Sequence, residues 1–288
     1  MMYRTDLAVE AAAGERGENS GILVSEQKQG RYTITIVDIL TKEASARLQK
    51  PLGKYCTISC PAFSDHVDST GEGTSLVSQA LQKMLPKEGN VLIMGLGNRS
   101  LTADALGPLT ADKILATRHI QKELGRVAGL TNIRPVSVCS PGVLGMTGME
   151  TREILTALVR QLHPAAVIAV DALAASELGR MGCTVQITDS GIAPGSGVGN
   201  HRPQLNRETV GVPVIGLGVP TVMDGSLLAR DLLGEEGNRA PKIPEIPLTI
   251  TVREIDLLVS RAAALLSMAI NRALNPSVEE QWFRELTE

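Results

Sequence analysis

Between residues 86 and 218 the chain repeats one pattern: a short, almost wholly apolar run, a polar loop, then a stretch with helical spacing. The runs at 91–96 (VLIMGL), 133–139 (IRPVSVC), 166–171 (AVIAVD) and 213–218 (PVIGLG) predict strands, with helices near 108–124 and 149–162. A strand apolar on both sides must be covered on both sides, and such strands alternating with amphipathic helices predict a doubly wound α/β fold with a mostly parallel sheet. Ahead of this pattern, 31–40 and 54–61 read as strands, 41–50 as a helix stopped by Pro51, and 74–85 as a helix closed by Pro86. Residues 8–30 are polar and rich in Gly and Glu, and read as irregular.

The glycine-rich segment 183–207 breaks the rhythm and predicts a small β or loop excursion, and 238–247 is a proline-rich connector. Thr147 with Glu150 and Thr251 with Glu254 have capping-box spacing, the second opening a long last helix that ends at Asn275-Pro276. No internal repeat or low-complexity tract is present. At 288 residues the chain has room for one large α/β domain or two small ones.

Aromatic residues are only 2% of the chain, which disfavours base-stacking and sugar-binding surfaces and requires an aliphatic core. A net charge of −3 offers no electrostatic footprint for nucleic acid or an anionic membrane. No apolar run reaches the ~18 residues of a membrane span, and the charged N-terminus does not resemble a signal peptide. Cys56 and Cys60 have the wrong spacing for a zinc knuckle, so with Cys139 and Cys183 they read as reduced core residues of a cytoplasmic protein.

The stretch GLGNRSLTADALGP (95–108) poses the functional question. Gly95 and Gly97 sit after a strand, as in a phosphate-binding turn, but the third glycine of that fingerprint is replaced by Ser100 and no Gly-Lys-Ser/Thr occurs in the chain. Instead the loop carries an acid, Asp104, and a second acid, Asp171, directly follows AAVIAV. Ligands of open α/β sheets bind beyond the carboxyl ends of the strands, so both acids are placed to meet in one crevice. Either can equally serve as a helix cap. Two carboxylates ~4 Å apart repel by about 4 kcal/mol at an effective dielectric near 20, enough to keep one protonated while its partner acts as a base. Such a pair can activate water and protonate a leaving amine.

Other constellations are thin. There is no G-x-S-x-G elbow around Ser196 and no H-E-x-x-H among His66, His119, His163 and His201. Asp189, Asp224 and Glu150 read as loop or cap acids. Asn98, Gly195, Ser196, Gly197 and His201 remain as candidates for a substrate or oxyanion loop.

Together, YRTDLAVEA (3–11), GLGNRSLTADALGP (95–108), SPGVLGMTGMET (140–151), VDALAA (170–175) and TDSGIAPGSGVGN (188–200) resemble the germination protease, or spore protease, family of endospore-forming bacteria. The resemblance implies an atypical aspartic-type endopeptidase that degrades small acid-soluble DNA-coating proteins during germination. It further implies a fold similar to the hydrogenase maturation peptidases, a homotetramer, a spore-core (cytoplasmic) location and no cofactor or metal. The family's two acids fall on Asp104 and Asp171. Its self-processing cut falls between Asp6 and Leu7, dividing the chain into a pro-segment, 1–6, and a peptidase domain, 7–288. That pro-segment is shorter than is typical of the family. Two competing readings are a hydrogenase-maturation-type processing peptidase, which needs a metal-competent acid and histidine set, and a non-catalytic α/β module that binds a small anion. No direct contact with nucleic acid or membrane is expected.

Overall fold

The computed structural model describes residues 5–15, 20–120, 133–195, 202–228 and 248–287. The chain opens with helix α1 (Ala8–Ala11), strands β1 (Ile22–Gln29) and β2 (Tyr32–Ile39), helix α2 (Lys42–Leu48), strand β3 (Gly53–Ser59) and helix α3 (Glu72–Met84). The repeating part follows as β4 (Val91–Gly95), α4 (Leu106–Asp112), β5 (Val136–Cys139), the short α5 (Leu144–Thr147), α6 (Thr151–Leu162) and β6 (Ala166–Ala175). Then come β7 (Thr184–Thr188), α7 (Arg207–Val210), β8 (Val214–Asp224), β9 (Thr249–Ile250), α8 (Ile255–Leu274) and α9 (Glu280–Thr287).

Among the described residues, all nine strands belong to one sheet in the order β1-β2-β3-β7-β8-β6-β4-β5, with β9 paired to the end of β8. The apolar runs of the repeating part pair parallel, β5 with β4, β4 with β6 and β6 with β8. The remaining strands add antiparallel, so the sheet is mixed. The fold class is α/β, and the excursion expected at 183–207 contributes a full central strand, β7, wedged between β3 and β8.

Side-chain alternation along each strand sorts the core into two layers. Val91 and Ile93 of β4, Ala166, Ile168 and Val170 of β6, Val185 and Ile187 of β7, and Ile215 and Leu217 of β8 pack under α3 and α8. The alternate residues Leu92, Met94, Val167, Ala169 and Val214 pack under α6 and α7 with Leu155, Val159 and Val210. Helix α8 is apolar and long enough to cross a membrane, yet 67% of its apolar window is buried in the fold against α3 and α4. Its composition is that of a core helix.

Several local expectations are corrected. Residues 8–30 are not uniformly irregular: they contain α1 and β1. Seven of the eight residues of β1 are exposed, so it carries no apolar alternation and is held by its ladder to β2. The helix expected at 108–124 begins at Leu106 and ends at Asp112, and 121–132 lies outside the described residues. The first capping box sits three residues later, with Glu150 as N-cap exchanging hydrogen bonds with Glu153, while the Thr147 hydroxyl closes the preceding turn. The second box does not form: Glu254 makes no capping bond, and the Thr251 hydroxyl donates instead to the Thr221 carbonyl, tying β9 to β8. All four cysteines are free thiols, Cys56 buried and the other three half-buried.

Candidate active site

The glycines of the 95–108 turn are used for close packing. A side chain at Gly95 would stand 2.4 Å from the Gly107 carbonyl oxygen, and one at Gly107 would meet the Leu96 carbonyl oxygen and amide nitrogen and the Val170 carbonyl oxygen at 2.2–2.4 Å. Those last atoms include a ladder bond, since Leu96 N–H donates to the Val170 carbonyl at 2.8 Å. The first turn of α4 therefore lies directly on the joined ends of β4 and β6. Gly97 adopts φ 111°, which L side chains rarely adopt, and folds the loop back over Asp104.

This packing brings the two sequence-selected acids to one cavity of about 390 Å³. Asp104 ends a single 3-10 turn, Thr102–Asp104, and its Oδ2 accepts from the Asn98 N–H at 2.8 Å. Asp171 lies in β6, only 4% exposed, with Oδ1 accepting from the Ala172 N–H at 3.0 Å. Neither acid serves as a helix N-cap: α4 starts without a side-chain cap, and Asp171 is inside a strand. Asp6, Gly195, Arg202, Leu96, Val143 and Thr251 also line the cavity.

The two carboxyls have different environments. Burial raises Asp104 above the usual carboxylate range, opposed by the Asn98 N–H and by the Arg202 guanidinium. Asp171 is pushed well above it, first by burial and then by the negative charges of Asp104 and Asp6, with the Ala172 N–H and Arg202 pulling the other way. Both acids are thus biased toward the protonated form, the more deeply buried Asp171 more strongly than Asp104. Three carboxyls with Arg202 as the one cation among the described lining residues make a poor cradle for a phosphate.

Asn98 is a support for Asp104: its amide N–H is taken by that carboxylate and its side chain accepts from Ser100 N–H. Gly195 does reach the cavity wall, whereas Ser196, Gly197 and His201 lie outside the described residues. Asp189 and Asp224 stay away from the cavity, one accepting from Lys54 N–H and the other from Ser226.

Asp6 enters from the other end of the chain. Its N–H donates to the Ala174 carbonyl at 2.9 Å, and its Oδ2 accepts from Ala174 N–H at 2.8 Å, so it pairs with β6 just beyond Asp171. Leu7 is fully buried among Leu173, Ala175, Met181 and Met223. Lys50 Nζ donates to the Thr5 carbonyl, and burial lowers its pKa against the pull of Asp6 and Glu10. Glu10 is buried, accepting from Ser176 N–H and Glu177 N–H. Arg202 escaped the sequence reading because nothing local distinguishes it from a solvated loop arginine.

Comparison with known proteins bears on this same set of segments. A family profile described as germination protease matches residues 3–234. The chain belongs to the germination protease family. It is 36% identical to the germination protease of Clostridium perfringens strain 13, covering 96% of each chain, and 37% identical to that of Caldanaerobacter subterraneus, covering 98% and 97%. The Bacillus velezensis germination protease is 41% identical over 80% of this chain and 66% of its own. Among solved structures, a hydrogenase maturation protease from Thermococcus kodakarensis is similar over 66% of this chain and 98% of its own, with 19% identity and a TM-score of 0.37. Membership of the germination protease family makes this chain a peptidase of spore germination.

Proposed function

We propose that the chain is the endopeptidase that begins degradation of small acid-soluble DNA-coating spore proteins, with Asp104 and Asp171 as an aspartic-type pair. It works in the spore core as a homotetramer and is made as a zymogen that removes residues 1–6 by cutting between Asp6 and Leu7. The observation that carries this reading is the shared cavity: two carboxyls that burial raises to different degrees, together with the residue that precedes the proposed cut.

In the reaction, ionised Asp104 takes a proton from water as the water oxygen attacks the peptide carbonyl. Asp171, protonated at rest, gives its proton to the leaving nitrogen as the carbon–nitrogen bond breaks. The net charge of −3 argues against direct engagement of the DNA that the coat proteins cover.

Incubating the processed chain with a purified small acid-soluble spore protein tests this by intact mass. Discrete fragments with the wild type, and none with folded Asp104→Asn or Asp171→Asn, are expected. An uncut substrate, or cutting that survives both substitutions, refutes the assignment.

A further inference from the structure

Gln186 occupies the middle of the central strand β7 with its side chain 5% exposed. A buried carboxamide is costly unless bonded, and both ends of this one are used by main chain about 180 residues away in sequence. Nε2 donates to the Asp6 carbonyl oxygen at 2.8 Å, and Oε1 accepts from Ala8 N–H at 2.7 Å. The amide thus grips the backbone on either side of Leu7 without reading any side chain.

Its place in the sheet explains how it reaches that backbone. Gly218 of β8 is in register with Asp171 of β6 on one side and with Gln186 of β7 on the other. Residues in register share a face of the sheet, so acid, glycine and amide form one row. With strands ~4.8 Å apart, acid and amide stand on strands about 10 Å apart, and the Leu173 side chain lies over the Gly218 between them. Asp6 bridges the two strands, bonding to Ala174 of β6 and to Gln186 of β7.

We propose that Gln186 is a third catalytic residue, its Nε2–H holding and polarising the carbonyl of the peptide bond that is cut in self-processing. This rests on the peptidase reading and on the Asp6–Leu7 cut. As water adds to the Asp6 carbonyl carbon, the carbonyl electron pair moves onto the oxygen that Gln186 Nε2 already contacts at 2.8 Å in the intact chain. Collapse of that intermediate expels the Leu7 nitrogen, which takes its proton from the acid pair. The products are a carboxylate at Asp6 and an amine at Leu7.

The test follows conversion of the full chain by intact mass in the wild type, Gln186→Met and Gln186→Glu. Gln186→Glu keeps an acceptor for Ala8 N–H but removes the donor to the Asp6 carbonyl. Docking is read separately as hydrogen-exchange protection of the Ala8 amide, each variant being paired with Asp171→Asn so that no cut occurs. Loss of one oxyanion donor costs roughly 10²–10³ in rate, so both variants should process at least a hundredfold slower, with Ala8 still protected in Gln186→Glu. Processing within about threefold of wild type in either variant overturns the proposal. So does slow processing with Ala8 unprotected in both, which leaves Gln186 as an anchor alone. A wild type that never cuts itself counts instead against the peptidase reading.

Discussion

Gly107→Ala places one methyl group on the seam that joins the strands of the two acids. The new carbon would stand 2.2 Å from the Leu96 carbonyl oxygen and 2.4 Å from both Leu96 N and the Val170 carbonyl oxygen, where ordinary contact begins at 3.4 Å. All three are backbone atoms, so no side chain can rotate away, and the first turn of α4 must lift by about 1 Å. Asp104 precedes Gly107 by three residues, and Asp171 directly follows Val170, so the lift separates the two carboxyls. Overpacking of this kind costs about 1–3 kcal/mol, and a misplacement of about 1 Å in a catalytic group can cost about 10²-fold in rate. The processed variant should therefore melt several degrees below wild type, at roughly 2–4 °C per kcal/mol, while kcat falls by about two orders of magnitude with KM little changed. Thermal denaturation and steady-state cleavage of a spore coat protein read both numbers. A variant with wild-type melting and wild-type kcat would refute the claim that these glycines exist for close packing at the acid pair.

Further outcomes follow from the same geometry. Asp171 favours its protonated form in the folded state, so its contribution to stability is full at low pH and lost as pH rises through its raised pKa. Asp171→Asn should abolish cleavage yet gain thermal stability relative to wild type as pH rises, and melting curves that stay parallel from acid to alkaline pH would contradict the burial argument. Arg202→Gln removes a charge that lowers both acids, so the acidic limb of kcat/KM should move to higher pH, whereas an unmoved profile would place Arg202 outside the site. Leu7→Ala empties a fully buried position and should cost about 2–5 kcal/mol, read from the denaturant midpoint at unchanged slope. A loss below about 0.5 kcal/mol would mean that the N-terminal segment is not docked as described.

The parallel half of the sheet was legible because strands buried on both faces must be apolar throughout, and the polar loop after β4 singles out Asp104, whereas Asp171, expected at a strand end, lies within β6, which runs on to Ala175. The N-terminal third was less so. Strand β1 shows seven exposed residues and α1 is four residues long, so both owe their structure to neighbours and not to local pattern. Strand β7 hid behind the glycines that follow it, and Gln186 within it looks like an ordinary polar residue until Asp6 and Ala8 are seen to bond with it. The approach of Asp6 to Asp171 is likewise a long-range fact, made by a pairing with Ala174 that no spacing in sequence announces.

The most direct test of the central claim is a double-mutant cycle on the acid pair, measuring kcat for the processed wild type, Asp104→Asn, Asp171→Asn and the double variant, all verified as folded. If the two carboxyls act on one water as a unit, each single substitution should remove several orders of magnitude and the double should be no slower than the worse single. Near-wild-type turnover in either single variant, or losses that simply add, would show that the two acids do not form one catalytic pair.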